Sequence, residues 1–333
     1  MNLRAQMVSN MIELGFDEEL VTYYQSTALP TAKIRLQERE TYQRLGNSRI
    51  GGYPDLPAGL DYPTVTEEGV LRHFVFIAQI NLSELPSAVA APYPNQGLLY
   101  FFIHNDDESM STVRHLILYS GENTSDLVTF KPPANIQYTG ASYSRPFPAY
   151  AIAFESEYSV DLPHLETHQS EYLQQRDELY DVFNRVSRFG GHHYSVDGII
   201  PADIMQEKNL LSSEELFFLT RGYLTGERSY EETSQVHIDY YEKKIAVSDD
   251  EGEISRAQES IREIRDKIDF EKSKEGQEGY YRELLNNWQL MLVIDSIDEC
   301  NMLWWDSSSL EFYINADDLR KGDWSNTHCI IIH

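Results

Sequence analysis

The segments Ser48-Arg49-Ile50-Gly51-Gly52 and Ser187-Arg188-Phe189-Gly190-Gly191 set one arrangement into the chain twice. A guanidinium presents a planar fork of N–H donors, and glycines let neighbouring backbone N–H groups converge on one point. Together Arg49, Gly51, Gly52, Arg188, Gly190 and Gly191 could therefore hold an anion. A structural reading stands beside this one: each arginine pairs with a carboxylate of the same chain, and each glycine pair shapes a turn. Further candidates for the ligand-binding set are His192, which follows the second glycine pair, and Asp306. Asp306 belongs with Asp295, Asp298 and Glu299 to an acidic stretch whose counterparts in the first half are Gln79 and Asn81. Paired carboxylates suit acid–base work or calcium, and aspartate also favours turns for its local hydrogen bonds. Gln79 completes the set.

No metal or cofactor is expected. His192 and His193 are adjacent, so on an extended segment they point to opposite faces. His164 and His168 lie four apart, but Glu166 stands third where a zincin helix has it second, and the pair reads as the surface of a helix entrance. The chain contains no Gly-x-Ser-x-Gly elbow, no phosphate-binding Walker loop and no dinucleotide fingerprint. The reading leans away from an enzyme and assigns no catalytic residue, with a hydrolase using Asp306 and His192 as the alternative.

The elements that must position these residues follow from pattern. Leu3, Met7, Met11 and Leu14 have helical spacing closed by Gly15, and a second helix begins after Asp17. Strands are predicted over 32–38, 70–82, 97–104, 112–120, 127–131 and 150–158, and again at 290–296 and 310–315. The run at 70–82 reads as one strand buried on both faces. A helix is predicted over 167–187. Ile254, Ala257, Ile261, Ile264 and Ile268 make a narrow seam that fits an antiparallel partner at 230–246, with Asp249–Gly252 as the turn. The fold class is α+β: two similar β-rich lobes from an internal duplication, N-terminal helices, and a helical insertion in the second lobe. The divisions are 1–30, 31–165 and 166–333, with the insertion at about 206–287, and the ligand site falls in the cleft between lobes.

Composition limits the partners. The 333 residues hold 54 acidic and 27 basic side chains, a net charge of −27. Such a surface excludes nucleic acid and anionic membranes as ordinary partners, since both are bound through lysine and arginine. It leaves a small anionic ligand at the arginines, or a basic protein partner. Two cysteines are too few for a disulfide framework, and Glu13 and Asn10 interrupt any apolar leader, so the expected location is the cytoplasm.

In order along the chain, Ile50-Gly51-Gly52-Tyr53-Pro54-Asp55-Leu56-Pro57, Phe76-Ile77-Ala78-Gln79-Ile80, Leu85-Pro86 and Gly97 to Phe102 resemble the first half of the YwqG-like family. Phe189-Gly190-Gly191-His192, Asp197, Leu290 to Asp295, Trp305-Asp306, Phe312-Tyr313-Ile314 and Asp318-Leu319 are similar to its second half. That bacterial family is a domain of unknown function. The resemblance implies a duplicated, β-rich α+β fold and no activity; the paired Arg-Gly-Gly segments suggest a non-catalytic binding module. An immunity or adaptor protein that masks a basic toxin or effector is the alternative that the acidic charge suggests.

Overall fold

The computed structural model describes residues 3–13, 15–16, 18–104, 113–121, 126–139, 146–159, 187–191, 230–248, 250–273, 287–304 and 308–332. It divides into two compact units, one of residues 1–196 with 289–333 and one of residues 197–288.

The first unit is built on a ten-stranded sheet. At its centre β1 (Leu29–Arg39) runs antiparallel to β10 (Tyr150–Ser159). Outward from β1 come β11 (Arg188–Phe189), β12 (Trp288–Asp295), β13 (Ser309–Asn315) and β14 (Thr327–Ile332). Outward from β10 come β2 (Arg49–Ile50), β6 (Val75–Asn81), β7 (Leu98–Ile103) and β8 (His115–Ser120). The sheet curls until its ends approach, where Val113 N donates to Cys329 O at 2.9 Å and the His115 ring meets Thr327 Oγ1 at 2.9 Å. The result is a large, nearly closed barrel-like sheet; the same unit holds a two-stranded sheet of β3 (Asp55–Pro57) with β9 (Leu127–Thr129) and the short helix α3 (Ser87–Ala90).

Alternation of side chains explains the packing. Ile34, Ile50, Ile77, Leu99 and Phe101 from one side of the sheet join Phe189, Met291, Ile294, Leu310 and Phe312 from the other in one core. Phe101 and Phe312 meet edge to face with centroids 5.1 Å apart. The groove expected between two lobes is therefore replaced: strands of both halves are neighbours in one sheet, and β1 and β10 fill the position between them.

The helical preface is present as α1 (Leu3–Glu13) and α2 (Glu18–Thr27), with Gly15 at φ +84 after the first. The run at 70–82 is not one strand. Val70–His73 (β5) pairs with Thr64–Glu67 (β4) in a hairpin that leaves Val70 and Leu71 exposed, and β6 starts only at Val75. Its turn, Glu68-Gly69, adopts positive φ at both residues, the geometry that suits a tight two-residue hairpin. The helix predicted over 167–187 lies outside the described residues, apart from Ser187, which is not helical.

In the second unit, α4 (Tyr230–Val247) and α5 (Glu251–Ser273) pack against each other. Ala257, Ile261, Ile264 and Ile268 are buried as their spacing requires. Asp250 caps α5, accepting from Gly252 N at 2.7 Å and Glu253 N at 3.0 Å. Glu253 closes the turn by accepting from Ser248 Oγ at 2.6 Å, so local capping chemistry fixes the reversal.

Candidate functional site

Each diglycine segment enters the sheet as a two-residue strand and leaves it at once. Arg49 faces Gln79 on β6 and Ala151 on β10, and Arg188 faces Val293 on β12 and Lys33 on β1. Gly51 N donates to Ile77 O at 2.8 Å and Gly52 N to Phe147 O at 2.8 Å, while Gly190 N donates to Met291 O at 2.8 Å. All four glycines lie at φ between +71 and +97. A side chain at Gly51 would meet Pro148 O at 2.2 Å and one at Gly52 would meet Tyr42 Oη at 2.1 Å, so these backbones approach where nothing larger fits. The N–H groups of Gly51, Gly52 and Gly190 thus serve the fold itself.

Arg49 is fully buried. Its Nη2 donates to Asn47 Oδ1 at 2.9 Å and pairs with the Asp55 carboxylate. Nη1 donates to Tyr53 O at 3.2 Å, Nε lies 3.6 Å from Glu40 Oε2, and the guanidinium sits 5.0 Å over the Tyr42 ring. Asp55, also fully buried, accepts in addition from Gly46 N at 2.8 Å, Gln79 Nε2 at 3.2 Å and Thr129 Oγ1 at 2.6 Å. Gln79 locks the cluster by accepting from Asp55 N at 2.8 Å and donating to Asn47 O at 2.8 Å. Burial raises the Glu40 carboxyl, but hydrogen bonds from Asn47 and Tyr42 N and the charge of Arg49 outweigh it and hold it below the ordinary value. Tyr42 adopts φ +59, and the tip of its ring fills the space that Gly52 leaves.

Arg188 is 1% exposed and faces a different acid. Glu311 on β13 is buried, feels the Arg188 charge, and accepts from Tyr313 Oη and from Ser309 Oγ, the latter at 3.4 Å. Burial dominates and raises its carboxyl from 4.5 to about 7. The folded protein therefore keeps a proton that the unfolded chain releases near its ordinary value, so this group's contribution to stability is lost as pH rises from about 4.5 to about 7. Glu311→Gln is expected to remove that dependence. Relative to wild type, the variant should gain about 3 kcal/mol in urea unfolding at pH 8 over pH 4. Equal pH profiles for the two proteins would refute a proton held at Glu311.

The structure thus brings Arg49, Gly51, Gly52 and Gln79 together in one buried cluster and places Arg188, Gly190 and Gly191 across the β1–β10 pair. His192 and Asp306 lie outside the described residues, as do His193, Asp197, His164 and His168. Of the two readings that the sequence leaves open for Arg49, the geometry favours internal pairing. Asp55, Glu40 and Glu311 were not picked out by the sequence reading. A carboxylate inside the apolar run Leu310-Glu311-Phe312-Tyr313-Ile314 was the available signal, because such a group demands a buried partner. Among the described residues no group of three or more His, Cys, Asp or Glu side chains could hold a metal ion. Cys300 and Cys329 are buried free thiols, and burial pushes the Cys300 thiol up to about 12. No described helix is long and apolar enough to cross a membrane.

A family profile described as a domain of unknown function, DUF1963, matches residues 48–331. The chain belongs to the DUF1963 family. The match starts on the first diglycine segment and ends within β14, so Arg49, Asp55, Arg188 and Glu311 lie inside it, whereas α1, α2, β1 and the Glu40, Tyr42 and Asn47 partners of Arg49 precede it. Comparison with curated proteins finds no match.

Proposed function

We propose that this DUF1963 protein is a non-catalytic binding module for a basic partner protein, built from one β unit used twice. The observation that carries the binding reading is the enclosure of Arg49. An anion would need its guanidinium fork, and that fork is spent on Asp55, Asn47 and Tyr53 O inside the protein. What remains to meet a ligand is a surface with a net charge of −27, which draws a cationic partner and speeds its encounter. An immunity or adaptor role, masking a basic effector, is the form this takes. The two buried thiols suit a reducing, cytoplasmic setting.

The duplication is supported by matched hydrogen bonds. Ile152 N donates to Ser48 O at 3.1 Å and Ile34 N to Ser187 O at 2.9 Å. Asn81 N donates to Ser48 Oγ at 2.8 Å and Asp295 N to Ser187 Oγ at 2.9 Å. The ordered motifs support placing the chain with the YwqG-like proteins inside its family.

The test is calorimetric titration with a lysine- and arginine-rich peptide, and separately with inorganic phosphate, at low and high salt. Saturable binding of the peptide at a small whole-number ratio, weakened by salt, is the expected result. Failure of the peptide to saturate, or saturable binding of phosphate instead, would overturn the reading.

A further inference from the structure

Two cavities flank the β1–β10 pair. One, of about 530 Å³, is walled by Ile34 and Leu36 of β1 and bordered by Ser187, Asp298 and Glu299. The other, of about 550 Å³, is walled by Ile152 and Phe154 of β10 and bordered by Asn47, Glu84 and Glu38. Their walls are counterparts, because Ile34 and Ile152 are the residues that bond to Ser187 O and Ser48 O. The short 3₁₀ turns Leu82–Glu84 and Asp298–Cys300, which border them, follow β6 and β12 respectively. In the register of β1 with β10, Ile34 faces Phe154 and Leu36 faces Ile152, with Arg35 opposite Ala153 between them. A two-fold axis normal to the sheet at the Arg35–Ala153 pair exchanges these pairs and keeps both cavities on one face.

The charge at each cavity depends on what is already paired. Lys33 lies 3.5 Å from Glu157, Arg35 2.8 Å from Glu155, and Arg44 2.8 Å from Glu84. Every basic side chain lining the cavities thus has a carboxylate. Asp298, Glu299 and Glu38 are exposed and make no ion pair among the described residues. Each cavity therefore combines an apolar wall with an uncompensated carboxylate at its rim. That combination receives a side chain with an aliphatic stem and a cationic head.

We infer that each cavity takes one lysine or arginine side chain of the basic partner, so that a single chain carries two equivalent subsites. This rests on the binding reading above and adds the shape of the ligand. The cavities open on the outer sides of two adjacent strands, so their centres lie two to three strand spacings apart, on the order of 10–15 Å. Four residues of extended chain span about 13 Å, and because side chains alternate, the first and fifth share one face. The partner segment is therefore extended, with two basic residues four positions apart.

Three short synthetic peptides test this against the full chain: one with arginines four apart, one with a single arginine, and one with none. The first should bind at least about tenfold tighter than the second, because the second contact is made within the complex. The third should not bind. In the double variant Asp298→Ala, Glu299→Ala, and separately in Glu38→Ala, the two-arginine peptide should fall to the single-arginine affinity. These side chains are exposed, and unchanged melting temperatures confirm intact folding. If the two-arginine peptide binds and neither variant weakens it, the partner docks elsewhere and this inference fails while the binding reading stands. Weakening by only one of the two variants overturns the pairing of subsites. If no arginine peptide binds, the binding reading itself fails.

Discussion

Arg49→Ala is expected to destabilise the fold by about 3–5 kcal/mol, since it strands a buried carboxylate without its counter-charge. The size follows from the surroundings. Asp55 is fully buried, and its other partners are a backbone N–H, an amide and a hydroxyl, none carrying positive charge. Domains of ordinary stability hold about 5–15 kcal/mol in total, so the variant should unfold at a much lower urea midpoint or fail to accumulate. A thermodynamic cycle removes the ambiguity of a variant that merely packs badly. Asp55→Ala made on the Arg49→Ala background should cost less than Asp55→Ala made on the wild type, because the stranded charge is already gone. A midpoint within about 0.5 kcal/mol of wild type for Arg49→Ala, the level of an ordinary surface change, would refute the structural assignment of this arginine.

Gly51→Ala should do comparable damage, and its counterpart should not. At Gly51 an added methyl meets the carbonyl oxygen of Pro148 at 2.2 Å, and backbone cannot swing aside as a side chain can. The left-handed φ of +71 adds about 1–2 kcal/mol for any residue with a Cβ. The combined loss is expected to reach about 4 kcal/mol or more. At Gly190 the φ is +73, but the nearest atom is Val89 Cγ1 at 3.1 Å, the end of a side chain. Gly190→Ala should therefore lose only about 1–2 kcal/mol. Chemical unfolding of the two variants side by side decides it, and equal losses would mean that the close approach at Pro148 plays no part.

These contrasts show where sequence reading reaches and where it stops. The paired glycines, the apolar runs of β6, β7, β12 and β13, and the seam of α5 are local signals, and each is found at its place. The break at Phe74 was not legible. Apolar residues stand on both sides of Arg72-His73, and pairing with Thr64–Glu67 turns the first part away from the core. The Tyr62 ring shows the same limit. Its environment is fixed by Phe130 at 4.1 Å and by a hydrogen bond to Phe74 O at 2.9 Å, contacts made by distant segments. The arginines posed the hardest problem. A guanidinium beside a diglycine looks alike whether it meets a ligand or a carboxylate, and the deciding acids come from position 55 in one case and position 311 in the other.

The position of β1 has a practical side for anyone making this protein in pieces. Its eleven residues lie between β10 and β11, yet they precede the matched family range. An expression clone trimmed to that range would discard the strand that joins the two arms of the sheet. Two raw edges with unpaired backbone groups would face each other across the gap, an open invitation to mispairing and aggregation.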